Sequence, residues 1–87
     1  MAPIKSVYLK VISGTSDANI RFSDLRKLLK KFKFIERIKG DHHILYRNDI
    51  EEIINIQPLK SKAKPYQVKQ VRKIILKYQF AIGEKNE

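Results

Sequence analysis

Apolar residues recur at helical spacing in two separate stretches of the chain. The first stripe consists of Phe22, Leu25, Leu28, Leu29 and Phe32. Ser23 is the predicted N-cap of this helix, and Asp24 puts a negative charge in its first turn, where the helix dipole favours it. The second stripe follows Pro65, a residue that a first helical turn tolerates, and consists of Val68, Val71, Ile74, Ile75 and Tyr78. The pattern therefore predicts two amphipathic helices, each with one face to bury.

Between the two stripes the pattern changes to short segments rich in β-branched and aromatic residues. These segments are residues 34–39, 43–47 and 52–56. Gly40-Asp41 and Asn48-Asp49 separate them with residues typical of turns, which predicts two tight hairpins and a three-stranded meander. The expected fold class is α+β with the order α-β-β-β-α, in which both helices pack on one face of an antiparallel sheet.

The segment before the first stripe predicts a short extra helix at the N-terminus. Ile4, Val7, Val11 and Ile12 would form its apolar face, and Gly14 would end it. The alternation of Val7, Leu9 and Val11 also fits a strand. Residues 14–19 have the composition of a loop. A chain of 87 residues can support one core, so residues 1–87 are expected to form a single domain.

Charge narrows the range of partners. The chain has 19 Lys and Arg residues against 9 Asp and Glu, a net charge of +10 and an isoelectric point near 10.0. No acidic residue occurs between residues 53 and 83, although seven basic residues do. This imbalance is typical of a protein that binds a polyanion, and nucleic acid is the expected partner.

Several functions are disfavoured by what the sequence lacks. There is no cysteine, which excludes disulfides and favours a reducing, cytoplasmic location. No apolar run is long enough for a membrane span, and the first residues have no apolar signal core. No small-molecule cofactor motif is present. No metal site is expected either, because His42 and His43 are adjacent and would project to opposite faces of a strand.

The two histidines follow Gly40-Asp41 at the entrance to a predicted strand. Histidine can accept and release a proton near neutral pH, so one histidine with nearby cations suffices for metal-free RNA cleavage through the 2′-hydroxyl. A histidine near a turn is, however, more often structural. The residues alone therefore indicate a basic RNA- or DNA-binding domain and leave catalysis open.

Three segments carry a family resemblance. They are Ser-Asp-Leu-Arg-Lys-Leu-Leu from residue 23, Ile-Lys-Gly-Asp-His-His-Ile-Leu from residue 38, and Lys-Pro-Tyr-Gln-Val-Lys-Gln-Val-Arg-Lys-Ile-Ile from residue 64. In this order they resemble the HicA toxin family over residues 23–80. The resemblance implies a fold like that of a double-stranded-RNA-binding domain, mRNA interferase activity, and neutralisation by a HicB-type antitoxin.

The resemblance also implies which residue is catalytic. The family's histidine falls on His42, with His43 as the alternative, and the two are exclusive because a one-residue shift in a strand reverses the face of a side chain. Asp41 stands where the family usually has serine. A carboxylate there is expected to favour the imidazolium form of the histidine, which weakens a base and helps an acid, and to repel a nearby phosphate.

Three hypotheses follow. In the first, the protein is a toxin and a metal-independent endoribonuclease that uses His42 for proton transfer. Its predicted RNA contacts are Lys39, Arg47, Lys60, Lys62, Lys64 and Lys69, with Tyr46 and Tyr66 as residues that could stack on bases. In the second, the protein is a noncatalytic double-stranded-RNA binder that recognises shape. In the third, the basic surface is chiefly a docking face for an acidic protein partner, for example the antitoxin.

Overall fold

A computed structural model describes residues 3–82, so residues 1–2 and 83–87 of the predicted 1–87 domain lie outside the described residues. The helices are α1 (Ile4–Ser13), α2 (Phe22–Lys31) and α3 (Pro65–Tyr78), and a single 3₁₀ turn lies at Asp17–Asn19. The strands are β1 (Ile35–Lys39), β2 (His42–Tyr46), β3 (Ile53–Ile56), β4 (Pro58–Leu59) and β5 (Lys62–Ala63). This arrangement confirms the predicted α+β fold with an extra N-terminal helix.

Strands β1, β2 and β3 form the predicted antiparallel meander in sequence order. The two-residue turn Gly40-Asp41 joins β1 to β2 and sets Lys39 directly opposite His42. Gly40 has φ +63° and Asp41 does not have positive φ, which is the pattern of a type II′ turn. The first hairpin is therefore as tight as predicted.

The prediction of a tight second hairpin was wrong. Six residues, 47–52, separate β2 from β3. Two contacts explain the extra length, because Ile50 packs against the core and Glu52 reaches α3, where Lys77 Nζ and Tyr78 Oη lie 2.6 and 2.5 Å from its carboxylate oxygens. Asn48-Asp49 forms a turn within this six-residue loop and does not make up the whole connection.

The core lies between the helices and one face of the sheet. All five residues of the α2 stripe are buried, and Val68, Val71, Ile74 and Ile75 of α3 are buried with them. The sheet contributes Leu45, Ile54 and Ile56 to the same cluster. Both helices thus cover one face, which we call the helix face, and the other is the open face.

Helix α1 packs across α2 and α3. Val7 and Val11 are buried, and Tyr8 meets Phe32 edge-on with 6.0 Å between ring centroids. Gly14 ends the helix with φ +73°, a left-handed conformation that glycine adopts without a steric penalty. The helical interpretation of residues 3–13 is confirmed, and the strand alternative is not.

The start of α2 differs from the prediction. Its N-cap is Arg21, without a side-chain cap, and Ser23 lies inside the first turn. Backbone pairing before the helix sets this start, since Ala63 N–H donates to the Ile20 carbonyl at 2.9 Å and Phe22 N–H donates to the Ser61 carbonyl at 3.0 Å. The partner segment is the small β4–β5 hairpin, which the sequence pattern did not predict.

Candidate functional site

The two histidines lie on opposite faces of the sheet. His43 shares the helix face with Leu45, whereas His42 shares the open face with Ile44 and Tyr46, because side chains alternate along β2. The side chain of His42 is 48% exposed and that of His43 is 14% exposed. The structure therefore gives the two rings different surroundings, as the strand geometry requires.

His42 is surrounded by polar groups of β3 and the segment that follows it. Its Nδ1 lies 3.1 Å from Asn55 Oδ1, and its Nε2 lies 3.3 Å from Gln57 Nε2. Asp41 Oδ1 is 3.9 Å from Nε2, and the Asp41 side chain is 73% exposed. Solvent screens such an exposed carboxylate, so its influence on the ring is weaker than that of a buried charge.

Gln57 links this ring to helix α3. Its Oε1 lies 3.4 Å from Lys64 Nζ. Its backbone is held by Gln67, a residue of α3 that is 1% exposed, whose amide accepts from the Gln57 N–H at 3.0 Å and donates to the Gln57 carbonyl at 3.2 Å. Paired in this way, the buried amide pays no penalty for unmet hydrogen bonds.

His43 belongs to a structural cluster under α2. Its Nδ1 lies 2.8 Å from Glu36 Oε2, and its ring meets Phe22 edge-on at 4.8 Å between centroids. Arg26 binds the Glu36 carboxylate through two hydrogen bonds, of 2.6 and 2.7 Å, and Lys30 Nζ lies 3.3 Å away. The Arg26 hydrogen bonds, with help from His43 and Lys30, lower the pKa of Glu36 from 4.5 to about 2.

An open cleft of about 580 Å³ lies on the sheet, lined by Lys39, the cross-strand partner of His42, but not by His42 itself. Its lining residues are Arg37, Ile38, Lys39, Ile44, Tyr46 and Ile53. Arg37 and Lys39 supply positive charge along β1, while Ile44, Tyr46 and Ile53 supply apolar surface on the same face. Grooves that bind single-stranded nucleic acid combine basic groups with aromatic stacking surfaces, and this cleft contains two basic residues and one tyrosine.

The predicted RNA contacts are not all in one place. Lys39 pairs with His42 across the hairpin, and Lys64 reaches the site through Gln57. Lys60 is exposed at the turn of the β4–β5 hairpin, and Lys62 Nζ lies 3.0 Å from Asn19 Oδ1. Of these four predicted contacts, Lys39 and Lys64 are therefore the two that lie near His42.

The other two predicted contacts lie elsewhere. Arg47 follows the opposite end of β2 from His42, where its guanidinium binds Asp49 at 2.6 and 2.9 Å and donates to the Phe32 carbonyl at 2.8 Å. It also stacks over Phe80, with 4.5 Å between the guanidinium carbon and the ring centroid. Lys69 lies on α3, on the opposite side of the sheet from the open face.

The sequence reasoning missed Arg37, Asn55, Gln57 and Gln67. Arg37 and Asn55 could have been found from alternation, because both share a face with His42 once the strand register is known. Gln57 and Gln67 have no comparable signal. A glutamine on a helix pattern is expected at the surface, and only the packing of α3 on β3 brings Gln67 to the Gln57 backbone.

Within residues 3–82, no three His, Cys, Asp or Glu side chains converge as metal ligands. No helix in that part of the chain combines the length and the apolar character needed to cross a bilayer.

The order α2-β1-β2-β3-α3, with both helices on one face of the sheet, defines an α-β-β-β-α protein of the double-stranded-RNA-binding-domain type. The family model for the HicA toxin of bacterial toxin-antitoxin systems matches residues 22–77, and the chain belongs to this family. It is therefore a toxin-antitoxin protein, and the family implies an antitoxin partner. The match leaves α1 outside. Searches of curated proteins and of solved structures found no match to the chain.

Proposed function

We propose that this HicA-family protein is a metal-independent endoribonuclease that cleaves mRNA, with His42 as its proton-transfer residue. The observation that carries the proposal is the difference between the two histidines. His42 is half exposed on the open face beside a cationic cleft, whereas His43 is held between Glu36 and Phe22 under α2. Of these two rings, only that of His42 is accessible to a bulky substrate.

The reaction follows from the groups beside His42. The neutral ring takes the proton of a ribose 2′-hydroxyl at Nε2, the O2′–P bond forms, and the P–O5′ bond breaks. The leaving O5′ receives a proton from water or from the imidazolium, and the new RNA end is a 2′,3′-cyclic phosphate. Arg37, Lys39 and Lys64 supply positive charge for the phosphate as its negative charge grows.

The cleft beside His42 supports binding of single-stranded RNA. Tyr46, with Ile44 and Ile53, offers a surface for a base next to the scissile phosphate, while Arg37 and Lys39 face the backbone. The antitoxin, which we take to be HicB-type, would neutralise the toxin by covering this surface with acidic and apolar groups. RNA and antitoxin would then compete because both need the same cations.

The test is cleavage of a long single-stranded RNA in EDTA by the protein freed of any partner. We expect cleavage by the parent chain and by His43→Asn, which keeps a polar group near Glu36, and a loss of about 10²-fold or more in His42→Ala. DNA of the same sequence and RNA methylated at its 2′-oxygens should stay intact.

Two results would contradict the proposal. Equal cleavage by the parent and by His42→Ala would remove His42 from the chemistry. If neither protein cleaves RNA but both bind duplex RNA in a salt-dependent manner, the noncatalytic RNA-binding function replaces the nuclease.

A further inference from the structure

We propose that Asn55 is a positioning residue that holds neutral His42 as the tautomer protonated at Nδ1. The inference rests on the proposed nuclease function, because it states how the ring is prepared to act as a base. In this tautomer the lone pair is at Nε2, the ring nitrogen that does not contact Asn55. Which ring nitrogen is free to react is set by the hydrogen bond that the other ring nitrogen makes.

Two amides bracket the ring with complementary polarity. Asn55 Oδ1, 3.1 Å from Nδ1, can only accept, so a neutral ring must carry its proton at Nδ1 to form this bond. On the other side, Gln57 Nε2 lies 3.3 Å from Nε2 and can only donate, which requires a lone pair there. Both contacts select the same tautomer.

The orientation of the Gln57 amide is set independently of the histidine. Its Oε1 lies 3.4 Å from Lys64 Nζ, and an ammonium can only donate, so the oxygen faces Lys64 and the nitrogen faces His42. The backbone of Gln57 is held in turn by the buried amide of Gln67. Hydrogen bonds therefore connect the start of α3 to the His42 ring through Gln57. This role explains why Gln67, a polar residue, lies on the buried side of that helix.

The contacts of Asn55 and Gln57 with the ring matter for the reaction because free histidine prefers the opposite tautomer, protonated at Nε2. A ring in that form cannot accept a proton at Nε2. With Asn55 in place, an arriving 2′-hydroxyl replaces the Gln57 amide as the donor to Nε2, and the proton then moves to the ring. The resulting imidazolium keeps its Nδ1–H bond to the Asn55 oxygen, so no side chain has to reorient during the transfer.

Nitrogen NMR of the His42 ring at alkaline pH tests the tautomer directly. Long-range proton–nitrogen correlations distinguish a protonated ring nitrogen from one with a lone pair. We expect Nδ1 protonated in the parent chain and in Asn55→Asp, which keeps an acceptor oxygen, and a shift towards Nε2 protonation in Asn55→Leu. Asn48→Ala, in the loop at the other end of β2, is the matched control and should leave the spectrum unchanged.

The kinetic readout is the split between kcat and KM for RNA cleavage. Asn55→Leu should lower kcat by about 10- to 100-fold, the range known for removing the hydrogen-bond partner that orients a metal-bound histidine, and should leave KM nearly unchanged. Asn55→Asp should restore much of kcat. If Asn55 had a merely structural role, kcat would fall equally in the two variants and the tautomer of His42 would not change.

A parent spectrum with Nε2 protonated would overturn the proposal, as would an Asn55→Leu variant with unchanged tautomer and unchanged kcat. The nuclease proposal fails separately, through absence of cleavage by the parent chain. In that case the NMR spectrum still decides the tautomer assignment, because it needs no RNA.

Discussion

At the scale of single residues, the site depends on a difference between two identical neighbours. His42 and His43 differ by one position in β2, which is enough to place one beside Asn55 and the other beside Glu36. The ring beside Glu36 is part of the packing under α2, and its carboxylate partner is also held by Arg26. The ring beside Asn55 faces solvent and the cationic cleft. The same imidazole group is thus part of the packing at His43 and accessible to a substrate at His42.

The Glu36 cluster predicts an acid-sensitive part of the stability. The pKa of Glu36 is lowered from 4.5 to about 2 in the folded protein, chiefly by the Arg26 hydrogen bonds, so its stabilising effect is complete above pH 4.5 and is lost as the pH falls towards 2. Glu36→Gln should cost about 1 to 3 kcal/mol at neutral pH and should flatten the decline in this window. Urea unfolding at several pH values measures both effects.

Glu51→Gln, at an exposed carboxylate of the β2–β3 loop, is the control for Glu36→Gln. It should lose little stability at neutral pH and should keep the decline between pH 4.5 and 2 that the parent shows. An equally steep acid decline in Glu36→Gln would show that the cluster around Arg26 and His43 does not stabilise the folded state through this carboxylate.

At the scale of elements, the ends of the helices show how local and tertiary preferences combine. Helix α1 ends at Gly14 with φ +73°, and helix α3 ends at Gln79 with φ +56°. Both residues occupy the left-handed C-cap conformation, which glycine adopts easily and a residue with a Cβ does not. At Gly14 an added Cβ would also lie 3.2 Å from an Arg72 guanidinium nitrogen.

Substitutions at these two C-caps should change stability in opposite directions. Gly14→Ala should lower the free energy of unfolding by about 1 to 2 kcal/mol, because alanine is strained at this positive φ and its Cβ crowds the Arg72 guanidinium that binds Asp17 and the Val11 carbonyl. Gln79→Gly should raise it by a fraction of that amount, up to about 1 kcal/mol. Denaturant unfolding of the two single variants checks the signs, and a loss of stability in both would contradict the argument.

At the scale of the whole molecule, the net charge of +10 is distributed over both sides of the sheet. Arg37 and Lys39 lie in the cleft of the open face, whereas Lys69 and Lys73 lie on the exposed side of α3, which covers the helix face. Several other cations are engaged in ion pairs, such as Arg72 with Asp17 at 2.9 Å. The total charge therefore overstates the surface that one strand of RNA can contact at a time.

The salt dependence of RNA binding should distinguish the two sides. With a His42→Ala background to prevent cleavage, Lys39→Ala should reduce the slope of log K against log salt by about 0.7, the value for one phosphate contact on a single strand. Lys73→Ala, on the far side of the molecule, should lower the affinity less and leave the slope nearly unchanged. Fluorescence anisotropy with a short labelled RNA measures both slopes, and equal effects of the two changes would contradict an open-face RNA site.

The sequence by itself determined the main elements, because their signals are local. Hydrophobic periodicity predicts α2 and α3, and backbone preference predicts the Gly40-Asp41 turn and the end of α1 at Gly14. The structure confirms each of them. The family resemblance was equally visible in the order of three short motifs, and the match over residues 22–77 confirms it. These features need no knowledge of which segments meet in space.

Only the tertiary structure decided the features that depend on contacts between distant segments. The start of α2 follows from its pairing with β5 rather than from Ser23, and the long β2–β3 loop follows from the reach of Glu52 to α3. Arg47 looked like part of the site but is held at the far end of β2 by Asp49 and Phe32. The polar groups around His42 come from β2, β3 and the start of α3. They meet because these elements pack together, and no spacing along the chain encodes that packing.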